Sequence, residues 1–247
     1  ETVLILSFLL LIPSAIGYFN TRVNYDILYY LPNEIETMQG QDILMDDFNK
    51  GAYAMVVVQN MDTKSTDRLI KKVENVDHVA QVISYTGIVG EDVPSEIVPS
   101  KFRKYFENDS TDTTLFAIFF DNTTSSDDTM NAIIQIREQT EGQAFISGMS
   151  AVVTDTKNLS EKETPLYVLI AVVLVCIVLA IFMDSFLVPV FFMISIGMAI
   201  VYNLGSNILL GEVSYITKAL AAVLQLGVTL DYSISVSYTH LRAHETC

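Results

Sequence analysis

Two long apolar runs separated by only four residues constrain the fold of this chain more than any other feature. Residues 166–183 and 188–210 contain no charged side chain. At 1.5 Å per residue, a helix over residues 166–183 covers about 27 Å, close to the roughly 30 Å of a bilayer's hydrocarbon core. Because the link Asp184–Leu187 is so short, we expect the two helices to form an antiparallel hairpin across the membrane.

Two further apolar segments flank this hairpin. No basic residues precede residues 3–18, as they would in a signal peptide, so we interpret this run as a transmembrane helix with Pro13 as a tolerated kink. Residues 216–234 follow a short turn at Gly211–Tyr215. The sequence therefore predicts a membrane α-helical bundle of four transmembrane helices, the first and last truncated. Counting the crossings places the large loop and the Gly211 turn on the same side of the membrane.

The large loop between the first two helices has the periodicities of a soluble α/β domain. Residues 53–58 (YAMVVV) are typical of a strand, and residues 65–75 form an amphipathic helix. The order of elements is β-α-β-β-α-β, the split βαβ pattern of an α+β, ferredoxin-like fold. The remaining predicted elements are strands at 79–85, 114–120 and 144–148, a helix at 129–141 capped by Ser126–Asp128, and a helix from about Ala151 towards the membrane.

The chain thus divides into four predicted segments. They are residues 1–19 (first helix), 20–164 (α/β domain), 165–235 (helices two to four) and 236–247 (a polar tail).

The loop is strongly acidic, which excludes several classes of partner. Between residues 20 and 163 there are 12 Lys and Arg against 24 Asp and Glu, a net charge of −12 out of −15 for the chain. Nucleic-acid binding and docking on an anionic membrane face both require a basic surface. The sequence also contains no Ser-His-Asp set, Walker loop or dinucleotide-binding loop, so we do not expect an enzyme.

One acidic residue lies inside the last apolar segment. Between Ala219 and Ile234, Asp231 and its neighbour Tyr232 are the only ionisable side chains. A charged residue at the centre of a transmembrane helix costs about 3 kcal/mol on insertion scales. Such a group persists where it faces a cavity, a partner or a transported ion. Alternatively, Asp231 pairs structurally with a polar group of another helix, and Tyr232 fills space with its hydroxyl satisfied.

The tail after residue 235 breaks the apolar pattern in mid-span. His240, His244 and Cys247 have a spacing compatible with zinc. However, the string VSYTHLRAHET is similar to the translation of a transposon-type sequencing adapter. We therefore interpret residues 236–247 as an artefact, expect no metal site, and interpret the chain as part of a longer protein.

The layout and several motifs resemble the RND superfamily, and most specifically its mycobacterial membrane protein large (MMPL) type of permease. The most specific match is Gly227–Tyr232 (GVTLDY), which resembles the fourth-helix Gly-x-x-x-Asp-Tyr motif of that family. Supporting matches are Tyr30–Pro32 after the first helix, Ser147–Ala151 with Asp155, and Phe182–Pro189 at the hairpin. Asp184 departs from the basic residue that is usual in the hairpin motif.

The resemblance implies a proton relay in the fourth helix. Asp231 would take and release a proton, and Tyr232 would hydrogen-bond to it and orient it. Gly227, one turn earlier, would allow a neighbouring helix to approach closely. An apolar environment favours the neutral acid over the carboxylate, which makes protonation near neutral pH possible. The proton-motive force would drive the process, and no cofactor is implied.

The resemblance also implies the setting of the protein. It would export a hydrophobic or amphiphilic small molecule or lipid across a bacterial inner or plasma membrane, with the loop as an extracytoplasmic porter domain. A similar second half of the protein would supply a matching acid, and a homo-oligomer is left open. The alternatives are a sterol-sensing type of membrane module that does not transport, and a protein-export subunit of the SecD/SecF type.

Overall fold

A computed structural model describes residues 2–26, 30–90, 93, 97–140, 142–182, 187–221, 223–228, 231 and 235. The chain divides into two compact units. The membrane unit comprises the chain up to Tyr25 and from Leu159 onwards, and the α/β unit comprises Asp26–Asn158. The predicted hairpin residues 184–186 and the polar tail lie outside the described residues.

The helices and strands follow one another in the order below. They are α1 (Thr2–Asn20), β1 (Arg22–Asn24), α2 (Glu36–Asp46), β2 (Ala52–Gln59), α3 (Thr63–Glu74), β3 (Val79–Ile83), α4 (Tyr85–Val89), α5 (Ser100–Arg103), β4 (Glu107–Asn108), β5 (Thr113–Phe120), α6 (Asp127–Thr140), β6 (Ala144–Ser147), α7 (Met149–Phe182), α8 (Leu187–Ser206), a 3-10 helix (Asn207–Leu210), β7 (Glu212–Ser214) and α9 (Tyr215–Val228).

Three helices of the described structure, α1, α7 and α8, are long and apolar enough to cross a membrane. The first half of α7 is charged and the second half is apolar. Its charged residues include Asp155, Lys157 and Glu161–Glu163, and the apolar part begins at residue 166. The fourth predicted helix corresponds to α9, which is apolar but shorter over its described residues. Helix α1 runs through Pro13 without ending, as the sequence predicts.

Helices α1 and α8 pack through small residues that let their backbones touch. Gly17 and Gly205 are both buried. A Cβ added to Gly17 would collide with the carbonyl oxygen of Gly205, and one added to Gly205 would collide with that of Ser14. The Tyr202 hydroxyl of α8 also donates a hydrogen bond to the carbonyl oxygen of Ser7. Between apolar helices in lipid, such backbone approach supplies the dispersion contacts that hold the pair together.

A short parallel ribbon joins the end of α1 to the turn before α9. Strand β1 pairs with β7, with Val23 opposite Val213. The side-chain amide of Asn24 donates to Glu212 Oε1 over 3.1 Å. This pairing places the first residues of the large loop beside the turn at Gly211, on the side that helix counting predicts.

The α/β unit is built on one antiparallel sheet. Its strand order is β3-β5-β2-β6, and β4 pairs with β5 at its side. The long central strands β2 and β5 pair in register from Ala52 opposite Phe120 to Gln59 opposite Thr113. Helix α3 leads from β2 to β3 across β5, and helix α6 leads from β5 to β6 across β2, so each connection passes over one strand of the sheet.

One face of this sheet and the helices α3 and α6 enclose the hydrophobic core. Strand β2 alternates strictly, with Ala54, Val56 and Val58 buried and the residues between them more exposed. The predicted apolar faces are confirmed, since Val73 of α3 and Ile133 of α6 are fully buried. Burial of each such side chain contributes about 1.5–3 kcal/mol to the free energy of unfolding.

Local signals fix the ends of α6 and α7. As predicted, Ser126 caps α6, because its Oγ accepts the Thr129 amide over 3.0 Å. Gly148 has a φ of 112° and lies against β2, where an added Cβ would be 3.3 Å from Ala54 Cα. The buried Ser150 hydroxyl then donates to the carbonyl oxygen of Tyr53 over 2.9 Å. These contacts explain the Gly and Ser of the Ser147–Ala151 motif as anchors of α7 on the sheet.

A substitution pair on α8 tests the small-residue packing. Gly205→Ala should lower the free energy of unfolding by about 1–3 kcal/mol, because the new methyl group overpacks the contact with α1. Gly197→Ala on the same helix is the matched control, since an added Cβ there meets no atom of the described residues within 4 Å. Denaturant unfolding of both variants in detergent measures the difference. Equal losses of stability, or none at Gly205, would contradict the packing described.

Candidate functional site

Asp231, the sequence-predicted relay acid, lies in a helical position beyond α9. Its side chain is exposed, and no hydrogen bond or ion pair joins it to any other residue that the structure describes. Asp231 follows Tyr215, the first residue of α9, by 16 positions in the sequence. That one continuous helix carries α9 and Asp231 stays a prediction, because residues 229 and 230 lie outside the described residues.

Of the two other predicted site residues, the structure describes Gly227 but not Tyr232. Tyr232 lies outside the described residues, so its pairing with Asp231 stays a prediction. Gly227 is exposed, and an added Cβ would meet no described atom within 4 Å. The close helix contact expected at Gly227 is thus not made by the described residues. The small-residue contact that the membrane unit does make lies at Gly17 and Gly205 instead.

Helix α9 is tied to α8 by a polar contact near the predicted site. The side-chain amide of Asn203 donates to Gln225 Oε1 over 3.4 Å. Gln225 therefore bridges α9 and α8. Asp231 follows Gln225 by six positions in the sequence.

A cavity of about 350 Å³ lies within the membrane unit, between α1, α7, α8 and α9. We call it the tyrosine cavity. Its polar lining includes Tyr18, Tyr25, Glu161, Tyr215 and Lys218. Volumes of this size are typical of small ligand sites. None of the three predicted site residues, Gly227, Asp231 and Tyr232, is among its described lining residues.

Tyr25 is the most buried polar residue of this cavity and is 6% exposed. Its ring stacks on Tyr215 with centroids 5.4 Å apart and an interplanar angle of 17°. Burial raises the pKa of the Tyr25 phenol above its usual value of 10.0, and the nearby Glu161 carboxylate raises it further. A hydrogen bond with the Ser160 hydroxyl acts in the opposite direction. The phenol is consequently held in its neutral form.

Lys218 brings a positive charge to the same cavity. Its ammonium lies over the Tyr18 ring, 5.6 Å from the centroid, a cation–π distance. Lys218 is the fourth residue of α9 and is half-buried. Its ring contact could not be predicted, since Tyr18 is 200 residues away in the chain. A partial signal existed, because Tyr18 and Tyr215 flank apolar segments as in an aromatic belt.

Metal ligands do not cluster in the described part of the chain. No group of three or more His, Cys, Asp or Glu side chains there could hold a metal ion. The tail residues with zinc-like spacing lie outside the described ranges. The charged contacts of the α/β unit are ordinary surface pairs, such as Arg137 with Asp155, joined by two hydrogen bonds.

Comparison with known proteins gives one finding on the family. The MMPL family model matches residues 30–237. The matched range includes the α/β unit, α7, α8, α9 and Asp231, and it ends before most of the polar tail. No curated protein matches the chain.

The shifted phenol gives a prediction on stability against pH. Because the pKa of Tyr25 is raised in the folded state, the neutral phenol stabilises the fold at pH values below about 10, the pKa of an unfolded tyrosine. This stabilisation is lost as the pH rises through the pKa of the folded state. Tyr25→Phe should cost about 1 kcal/mol at neutral pH, through the lost hydrogen bond with Ser160. Because the variant has no phenol to ionise, the difference in free energy of unfolding between the variant and the unmodified chain should narrow above about pH 10. Unfolding at a series of alkaline pH values measures it.

The matched control is Tyr105→Phe, because that side chain is 73% exposed. The free energy of unfolding of Tyr105→Phe should equal that of the unmodified chain at every pH. A constant difference between Tyr25→Phe and the unmodified chain across the alkaline range would be inconsistent with the buried phenol.

Proposed function

The chain belongs to the MMPL family of RND-type transporters, and we propose that it is part of a proton-driven transporter for hydrophobic or amphiphilic substrates. The observation that carries this proposal is Asp231, an acid on an apolar helix inside the matched range. The proposed direction is export across the cytoplasmic membrane. The proposed energy source is the proton-motive force, without a cofactor.

In the proposed mechanism, Asp231 alternates between a neutral and a charged form. The neutral acid is compatible with an apolar surrounding, whereas the carboxylate requires water, a partner or a cavity. Tyr232 donates a hydrogen bond to the acid and sets its orientation. Arrival of a proton removes the cost of the charge and so favours one of two helix arrangements over the other.

Contacts inside the membrane unit support a mechanical role for this change. Helix α9 contacts α8 through Asn203 and Gln225. Helix α8 in turn contacts α1 backbone to backbone at Gly17 and Gly205. A shift of α9 on protonation would therefore act on a connected set of helices, as rigid-body alternation between two states requires.

The proposal assigns the α/β unit to an extracytoplasmic porter domain. The strand order β3-β5-β2-β6, with every neighbouring pair antiparallel, supports a ferredoxin-like classification of this unit. Its acidity agrees with exposure to solvent rather than to anionic lipid. The proposed location of the protein is a bacterial inner or plasma membrane.

The proposal includes a second, similar half of the same protein. That half would supply an acid that matches Asp231 and a helix that approaches Gly227, where the described chain leaves open space. Lipid and a hydrophobic or amphiphilic substrate are the other proposed partners. Assembly into a homo-oligomer is compatible with the proposal but not required by it.

Substitution of the acid tests the function directly. In the full-length protein, Asp231→Asn should abolish proton-coupled transport in vesicles, since the amide cannot take up and release a proton. We expect a loss of at least about 100-fold, the lower end of what one proton-transfer group contributes. The measurement is substrate-dependent proton flux under an imposed pH gradient.

A surface acid provides the control for this substitution. Glu138→Gln removes an exposed carboxylate of α6 and should leave the flux unchanged. Full activity of Asp231→Asn would end the relay hypothesis. Substrate binding without any proton-coupled flux in the unmodified protein would favour a sensor of the sterol-sensing type over a transporter.

A further inference from the structure

The lining of the tyrosine cavity changes in polarity along helix α7. On α7 the lining begins with Ser160 and Glu161 and reaches Val168 seven residues later, about 10 Å along the helix. Leu204 of α8, which is buried, and Ala219 of α9 contribute further apolar lining. Beyond the cavity, α7 continues with exposed apolar side chains. Along α7, the lining thus changes from polar to apolar, and exposed apolar side chains of the same helix follow it.

Its two charges have opposite signs but are not paired with each other. Glu161 and Lys218 form no ion pair with any residue in the described ranges. The Glu161 carboxylate acts on the Tyr25 phenol, and the Lys218 ammonium lies on the Tyr18 ring. Two separated charges of opposite sign in one concave site favour a ligand that carries one negative and one positive group.

We propose that the tyrosine cavity binds the zwitterionic headgroup of an amphiphile. The anionic group of the ligand contacts Lys218. Its ammonium group contacts Glu161 and the partly exposed ring of Tyr215, which attracts a cation through its face. The acyl chain lies along the apolar surface that follows Val168.

Singly charged amphiphiles fit this lining less well. An anionic headgroup on Lys218 brings its charge near Glu161, and a cationic headgroup at Glu161 brings its charge near Lys218. In either case one like-charge contact opposes binding. The inference rests on the proposed function for its biological meaning, because it names the chemistry of the amphiphile that such a transporter would take.

A binding experiment on the 247-residue chain tests this site. The chain, kept in an uncharged maltoside detergent, is titrated with short-chain phosphatidylcholine, phosphatidylglycerol or an alkyltrimethylammonium, and bound ligand is counted by native mass spectrometry. We expect one phosphatidylcholine to bind, with at least tenfold preference over the anionic and cationic amphiphiles. Free glycerophosphocholine should bind at least tenfold more weakly than the lipid.

Two variants and two controls assign the charges. Lys218→Gln and Glu161→Gln should each weaken phosphatidylcholine binding about tenfold. Glu161→Gln should also remove the discrimination against phosphatidylglycerol, and Lys218→Gln that against the cationic amphiphile. Lys162→Gln and Glu163→Gln change neighbouring charges that do not line the cavity, and they should bind like the unmodified chain.

Several outcomes would overturn the inference. They are equal binding of the three amphiphiles, equal weakening by the control variants, and free glycerophosphocholine that binds as tightly as the lipid. Proton-coupled transport in a protein whose cavity binds no zwitterion would reject this inference alone. Selective binding in a protein without proton-coupled transport would reject the proposed function alone.

Discussion

The membrane unit depends on the backbone contact between α1 and α8. In lipid, apolar side chains gain nothing by leaving one hydrocarbon environment for another, so helices must associate through close packing and polar contacts. Gly17 and Gly205 provide that closeness, and any larger side chain at either position would separate the helices. The β1–β7 ribbon and the Tyr25–Tyr215 stack lie at the loop-side end of this pair. The tyrosine cavity follows from the same arrangement, since its walls are these elements together with α7 and α9.

Charged residues are distributed unevenly between the α/β unit and the apolar helices. Most acidic residues are confined to the α/β unit, while the apolar helices retain very few ionisable groups. Two charged residues lie in the fourth predicted helix: Lys218 at the start of α9, and Asp231, which the proposed function assigns to proton transfer. The predicted helix would thus carry both the proposed energy-coupling residue and a residue of the cavity.

Much of the fold follows from local patterns that can be predicted from the sequence. The strand over residues 53–58, the amphipathic faces of α3 and α6, and the cap at Ser126 all depend on near neighbours, and the structure has them. The β1–β7 pairing could not be predicted, because three-residue strands carry no periodicity and their partners are about 190 residues apart. The same holds for Gly17 and Gly205. Each looks like an ordinary helical glycine until the opposing helix is in place.

The predicted site illustrates the same limit. The apolar context of Asp231 identifies the acid from its neighbours in the sequence. The tyrosine cavity could not be predicted beyond the aromatic residues at segment ends, because residues far apart in the chain form its lining. The most direct test of the account is infrared spectroscopy of Asp231 in the full-length protein in lipid, with Asp231→Asn as the reference. We predict that addition of substrate changes the intensity of a carboxyl band and that this change is absent from the variant. A carboxyl signal of Asp231 that substrate leaves unchanged would contradict the account.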